Sequence, residues 1–468
     1  KIDWKFSPTR SAIQDKDDRT TSFKITDEGK YVVNLNTRPR RIWRDLQEMN
    51  YVAKVDLTNK LELFSNDALL KYGLYGSYKI REYDIYRTQI NVPTNMGILD
   101  NGDPNNLFKD ANIWTINNTG GNSIDLFFNL ISRGKSYKAD QNNLASYISL
   151  EFKFSDNLRS IIGLRGEKYF THYSGQDSSG EREFNGEKVA DTFDIFPSSN
   201  FILAVNENSN MRFSYSKTTA RPSFKEASIA QIFDPLSNIT YIGNIDLKPT
   251  YIDNLDLRFE NFGDGNQMFA ISAFYKKFKD PIELSYFESA RENFQPRNLG
   301  NATVYGAEIE FRRNISEKLS LNVNASIIES EQKYGKAEQS LRTLGLRSGE
   351  TLDGSRELQG QSPYLINTSI DYRDDTTRAG VYFNIQGKTL EVVGNGISPD
   401  IYTQPFESLN FTYSRSFGKD NKKSINIKAE NLLNSKKESL TDSYNAIERI
   451  YSLRDPGIKF SIGYSINL

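Results

Sequence analysis

The end of the chain constrains it most. After the break at Pro456-Gly457, Ile458, Phe460, Ile462, Tyr464, Ile466 and Leu468 fall on one parity, and Lys459, Ser461, Gly463, Ser465 and Asn467 on the other. Alternation this strict specifies a β-strand with one apolar and one polar face. A strand in a soluble protein usually runs about five or six residues, whereas a tilted strand crossing a membrane takes about nine to eleven. This stretch is long enough to cross, and a terminal strand left unpaired would fray. The expectation is a transmembrane β-barrel that this strand closes.

Composition fits that expectation. Only 37% of the 468 residues are hydrophobic, and the mean hydropathy of −0.60 is too low for helical spans. No run of about eighteen apolar residues occurs, which excludes a helix-bundle membrane protein. A barrel escapes the objection because only alternate residues face lipid. The 26 Tyr and 29 Phe would supply aromatic girdles at two membrane interfaces, although a β-rich soluble protein also favours aromatics. A net charge of −1 leaves no footprint for nucleic acid. The absence of cysteine removes disulfides, thiolate metal sites and cysteine nucleophiles together. Lys1-Ile2-Asp3-Trp4 is neither a signal peptide nor an initiator, so an exported protein is expected to carry something upstream.

About eighteen segments read as strands. The first fragment ends with Trp4 and Phe6. Thr21–Thr26 and Lys30–Asn36 form a hairpin around Asp27-Glu28-Gly29, with glycine at the positive-φ position. Asn50–Leu57 leads by a short link to a strand whose Leu70, Tyr72, Leu74, Gly76, Tyr78 and Ile80 share a face. The connection 87–142 is the longest, and its inner piece Ile124–Leu130 is expected to extend as a strand or fold back as a lid. Further hairpins join Asn143–Phe154 to Leu158–His172, Thr192–Val205 to Asn210–Thr218, and Tyr251–Phe262 to Gln267–Tyr286. Ala302–Arg313 pairs with Lys318–Glu331, Pro363–Arg373 with Arg378–Val393, and Phe406–Phe417 with Lys423–Asn431. Tight polar turns alternate with long connections, notably 87–142, 219–250, 332–362 and 432–455. That rhythm describes one barrel over residues 1–468, with short periplasmic turns and long extracellular loops. A propeller or solenoid would repeat at a nearly fixed period instead.

The faces agree. Leu255, Leu257 and Phe259 oppose Asn254, Asp256, Arg258 and Glu260; Tyr305, Ala307, Ile309 and Phe311 oppose Gly306, Glu308, Glu310 and Arg312. An Arg or Lys at the lipid midplane costs about 2–4 kcal/mol. Polar parity therefore marks the lumen, and Arg258, Glu308, Glu310 and Arg312 are expected to line it.

Several stretches resemble the barrel of TonB-dependent outer-membrane receptors, in the style of those from the Bacteroidota. They are Arg212–Phe224 (RFSYSKTTARPSF), Tyr241–Pro249 (YIGNIDLKP), Phe274–Glu283 (FYKKFKDPIE), Asn298–Arg313 (NLGNATVYGAEIEFRR), Glu357–Asn367 (ELQGQSPYLIN) and Ala429–Asn434 (AENLLN). The resemblance covers most of the chain. It implies an all-β antiparallel barrel of about 22 strands filled by an N-terminal plug, in the outer membrane of a Gram-negative bacterium. It also implies import of a bulky nutrient such as a siderophore, glycan or peptide, by ligand binding and plug movement. Energy would come from the TonB–ExbB–ExbD system, acting through a region N-terminal to these residues. Outer-membrane lipid and lipopolysaccharide would surround the barrel, and a surface lipoprotein is a conceivable partner. The sequence departs from this pattern in two respects. Neither plug nor TonB box lies in these residues, so both, with about four early strands, are expected upstream. The chain ends in Leu468 rather than Phe or Trp, which keeps the lipid-facing parity. Two alternatives use the same wall: a non-transporting scaffold within an envelope complex, and a porin-like channel.

Catalysis finds little support. One histidine, His172, and no cysteine exclude Ser-His-Asp, Cys-His and His-based zinc chemistry. His172 reads as a rim residue, no cofactor is expected, and no paired carboxylates converge. Asp100-Asn101-Gly102-Asp103 lacks EF-hand spacing and reads as a solvated loop. Arg38-Pro39-Arg40-Arg41-Ile42-Trp43-Arg44 is the sharpest basic cluster, either an anion grip or a loop balanced by Asp45 and Glu48. Ligand contacts are expected from loop aromatics and arginines: Trp114, Phe127, Phe128, Arg221, Tyr241, Phe287, Arg297 and Tyr334. Phe294 is a further loop aromatic of this kind. Such groups stack on and hydrogen-bond to polar solutes.

Overall fold

Period-two segments separated by turn residues fold as hairpins, and hairpins in series build one sheet. In a computed structural model the described residues are 1–34, 39–64, 66–91, 103–107, 109, 112–113, 116, 125–127, 136–177, 179–234, 239–265, 267–287 and 290–466. Among them no helix is long and apolar enough to cross a membrane. The wall opens with β1 (Ile2–Thr20), β2 (Arg40–Leu63), β3 (Asn66–Asn91) and β4 (Tyr137–Lys153). It continues with β5 (Leu158–Gln176), β6 (Glu183–Asn206), β7 (Ser209–Ala220) and β8 (Thr250–Phe262). Next come β9 (Met268–Lys279), β10 (Asn301–Asn314), β11 (Leu319–Lys333) and β12 (Tyr364–Arg373). The last four are β13 (Thr377–Gln386), β14 (Phe406–Phe417), β15 (Lys423–Glu430) and β16 (Lys459–Ile466).

Each wall strand pairs antiparallel with its neighbour in the chain. Asp125–Phe127 beside β3 and Ser355–Arg356 beside β11 bring the sheet to eighteen strands. β16 pairs with β15 along its whole length and β1 pairs with β2. No register joins β1 to β16 among the described residues.

Five expectations need correction. The hairpin around Gly29 forms, but Phe23–Ile25 and Tyr31–Val33 make a separate two-stranded sheet outside the wall. The first fragment is instead a full strand, β1, whose polar half runs on past Phe6 to Thr20. Gln267–Tyr286 is not continuous: β9 stops at Lys279, and Asp280 turns the chain at φ 53° before Pro281. Arg378–Val393 breaks likewise, because β13 ends at Gln386 and Thr389–Val392 joins a different sheet. The basic cluster is strand rather than loop from Arg40 onward. Arg41 and Arg44 there pair with Asp17 and Asp15 of β1, whereas Glu48 holds Arg81 and Asp45 accepts from Gln14.

The wall has two unlike faces. One cross-strand row reads Phe213, Leu257, Ala273, Ala307 and Ile327. The next reads Arg212, Arg258, Ser272, Glu308 and Ser326. The apolar row points away from the protein, with Leu257 47% and Ile327 74% exposed. β16 shows the same, Phe460 being 73% and Ile462 80% exposed.

The long connections fold into a cap with its own cores. Strands 231–234, 239–242, 282–287 and 290–298 form one small sheet, and strands 389–392, 400–403, 437–442 and 449–454 another. A parallel bridge from Ser285 to Val393 joins them, with the Val393 amide donating to the Leu284 carbonyl at 2.9 Å. Tyr286, Phe294, Val392 and Ile401 pack as one buried cluster drawn from both sheets.

Candidate functional site

Polar side chains on the inner face of the wall bond laterally because cross-strand neighbours stand within reach of one another. The Arg258 guanidinium donates to Glu260 at 3.2 Å, Ser272 at 3.0 Å and Glu310 at 2.9 Å. Arg212 donates to the same Glu260 at 2.6 Å. Glu308 shares this face between Ser272 and Ser326, and Arg312 lies at its exposed end.

After β7 the chain folds inward. Phe224, Ile229, Ala230, Phe233 and Ile245 pack against Tyr83, Tyr137 and Tyr173 on the inner face of β3, β4 and β5. The Tyr173 hydroxyl accepts from the Ile229 amide at 3.2 Å. Below this segment, against the wall, lies a cavity of about 400 Å³. Lys79 and Arg81 of β3 and Arg221 just beyond β7 face it, with Asn50, Ser77 and Asn143 among its polar lining. Among the described residues no carboxylate lines it.

Two of its three cations are tied down. Arg81 pairs with Glu48 at 2.5 Å. Arg221 reaches Glu167 at 2.7 Å and Asp194 at 3.4 Å, and its guanidinium stacks 4.5 Å from the Tyr169 ring centre. The Arg221 Nε is buried with no hydrogen-bond partner, as is the Asn143 Oδ1. Lys79 forms no ion pair among the described residues.

The cap holds a second cluster. Arg356 binds both oxygens of Glu283 at 2.8 and 2.9 Å and Glu338 Oε1 at 2.9 Å. Their side chains are 4%, 1% and 3% exposed. Arg342 continues the chain of charges, from Glu338 at 2.9 Å to both oxygens of Asp400 at 2.8 and 3.0 Å. Burial pulls the Arg356 and Arg342 pKa values down, and their carboxylate partners more than reverse it, so both stand above the ordinary value. The cluster pins three separate connections together. Helix α1 (Lys336–Gly345) fits because it meets a turn at glycine: a Cβ on Gly345 would lie 2.1 Å from the Gly396 carbonyl.

The sequence-predicted contacts scatter. Trp114 and Phe128, like Asp100-Asn101-Gly102 and Arg38, fall outside the described residues. Phe127 closes the short strand beside β3, and its side chain is also outside them. Arg221 reaches the cavity. Tyr241 lies in the inward-folded connection under the Lys225 ammonium, 4.2 Å from the ring centre, and burial raises its hydroxyl pKa. Phe287 ends a cap strand, and Arg297 of the adjoining strand donates to Gln295 at 3.1 Å. Tyr334 sits beneath Arg342, 5.0 Å from ring centre to guanidinium carbon. Phe294, another loop aromatic of this kind, is core of the cap. His172 lies 3.1 Å from Asp140 and edge-on to Phe170. Sequence reasoning missed Lys79, Arg81 and the Glu283–Arg356–Glu338 cluster. The available signal for the first two was their polar parity in β3, opposite Leu74 and Tyr78.

Comparison with known proteins places this architecture. The family described as "Outer membrane protein beta-barrel family" matches residues 14–464. No curated protein matches. Among solved structures, the ferric-catecholate import receptor Fiu from E. coli K12 is similar at 13% identity, TM-score 0.61, over 99% of this chain and 62% of that one. The ferripyoverdine receptor of the outer membrane of Pseudomonas aeruginosa is similar at 12% identity, TM-score 0.61, over 99% and 54%. The ferric citrate transporter FecA is similar at 11% identity, TM-score 0.60, over 99% and 59%. At such identities the likeness is one of fold, and the chain spans between 54% and 62% of the length of these three.

Proposed function

The chain belongs to the outer membrane protein beta-barrel family and resides in the outer membrane, and from that premise we propose that it forms the wall of a TonB-dependent receptor importing a bulky nutrient. The long connections then face the exterior and the tight turns the periplasm. A plug and TonB box upstream would couple the wall to TonB–ExbB–ExbD. Further strands would bond to the edges of β1 and β16 that carry no partner among the described residues. One observation carries the reading above an open channel. The long connections close on each other through the buried Glu283–Arg356–Glu338–Arg342–Asp400 cluster, building a recognition surface over a polar, wet interior. Binding followed by movement of the plug needs no covalent chemistry. The loop residues assigned to solute contact in this reading are Arg221, Tyr241, Phe287, Arg297 and Tyr334, with Trp114, Phe127 and Phe128 on the connection 92–136.

The test is a deletion strain grown on single scarce nutrients, paired with planar-bilayer recording of the purified full-length protein. Import predicts loss of growth on one nutrient class, dependence on TonB, and a closed bilayer. A steady open conductance with normal growth would put the porin reading in its place. A stoichiometric partner with no ligand would favour the scaffold.

A further inference from the structure

The cavity under the inward-folded connection is charged in one sense only. Lys79, Arg81 and Arg221 line it and, among the described residues, no acid does. Glu48 neutralises Arg81 and Glu167 with Asp194 neutralises Arg221, both from outside the lining. Lys79 is left as a half-buried ammonium with no ion pair among the described residues. A cavity lined by three cations, one of them outside any ion pair among the described residues, with hydroxyl and amide groups beside them, is complementary to an oxyanion. Its volume of about 400 Å³ lies in the range of small-molecule sites, about 300–1,000 Å³. Val52, Pro222 and Phe224 give it an apolar side, so the fitting ligand is an organic anion rather than a bare ion.

We infer that this cavity is a binding site for a carboxylate- or phosphate-bearing small molecule, held by Lys79 with the side-chain amide of Asn50. The inference rests on the uptake reading and narrows it to solutes that carry an anionic group. Lys79 supplies the charge, and Arg221, held by Glu167, Asp194 and the Tyr169 ring, adds to the basic character of the lining.

The experiment is calorimetric titration of the full-length protein in detergent with citrate, with glucose 6-phosphate and with glucose. The variants are Lys79→Gln and Lys79→Arg, each checked for folding by heat-shifted gel mobility. Binding of at least one anion but not of glucose is expected, weakened about tenfold or more in Lys79→Gln and largely kept in Lys79→Arg. Preference between citrate and glucose 6-phosphate assigns carboxylate or phosphate. Absence of anion binding in the wild type overturns the inference, as does binding that Lys79→Gln leaves unchanged. An acidic segment of the same chain filling the cavity would give the first of these results. Anion binding without nutrient uptake would sink the receptor reading alone, and uptake of a neutral nutrient without anion binding would sink this one alone.

Discussion

The wall and the cap obey opposite rules. In the wall, large apolar side chains are the exposed ones, Ile327 at 74% and Leu74 at 66%, while Glu260 at 5% and Asn254 at 9% are buried. In the cap, Leu390, Val393 and Ile401 are all at 0%, the ordering of a water-soluble domain. The difference is one of solvent. Lipid accepts methyl groups and rejects unpaired polar ones, whereas water drives apolar groups together at about 25 cal/mol per Å². The cap therefore needs a core, and the wall needs its hydrogen bonds closed from strand to strand. Among the described residues the least exposed ion cluster, Arg356 with Glu283 and Glu338, lies in the cap.

That contrast can be broken at chosen points. The largest effect is expected from Arg356→Met. Removing one partner of a buried pair costs about 3–5 kcal/mol because the remaining charges stay desolvated. Glu283 and Glu338 are left so. Hydrogen exchange should then show cap amides at 282–298 and 336–345 losing protection while β8 to β11 keep theirs. Equal loss in both regions would mean that cap and wall are one cooperative unit.

Next in size is Leu257→Arg, which puts a charge on the lipid face at a cost of about 2–4 kcal/mol. Refolding into bilayers should suffer, while Ser326→Arg on the inner face should be tolerated within about 1 kcal/mol. Reversal of that order would exchange the two faces of the wall.

The smallest effect is a slope with pH. Burial, followed by the nearby Asp400 charge, pushes the Tyr286 hydroxyl up to about 12, from an ordinary value of about 10. Below pH 10 the folded and unfolded cap both keep it neutral; above that only the unfolded cap ionises readily. Cap stability should therefore be intact below pH 10 and fall as the pH rises from 10 to about 12. Tyr286→Phe should flatten that part of the profile in ultraviolet-monitored titration.

Sequence reading succeeds in the wall for a physical reason. Strand alternation and Gly, Asn and Asp turns are local signals, and Leu158–His172, Ala302–Arg313 and Phe406–Phe417 all fall inside wall strands of the same order. The same signal cannot say which sheet a strand joins. Ile282, Leu284 and Tyr286 continue the alternation of β9, yet Asp280-Pro281 diverts them into the cap. β1 escaped notice beyond Phe6 because Ser7 to Thr20 carry little apolar alternation. The charge cluster is illegible for a different reason: Glu283 and Arg356 are 73 residues apart, and two charged residues in loops look solvated until the loops meet. Arg221 was singled out with its motif, but its cavity depends on Lys79 and Arg81 from a strand far earlier in the chain.

The most direct test of the account is a nitroxide scan along β8 in reconstituted membranes, one label at a time from Asn254 to Glu260. The account predicts alternation: labels at Leu255, Leu257 and Phe259 accessible to oxygen dissolved in lipid, those at Asn254, Asp256, Arg258 and Glu260 shielded from it. Uniform access to a water-soluble relaxant at all seven positions would contradict a membrane wall and leave a soluble sheet in its place.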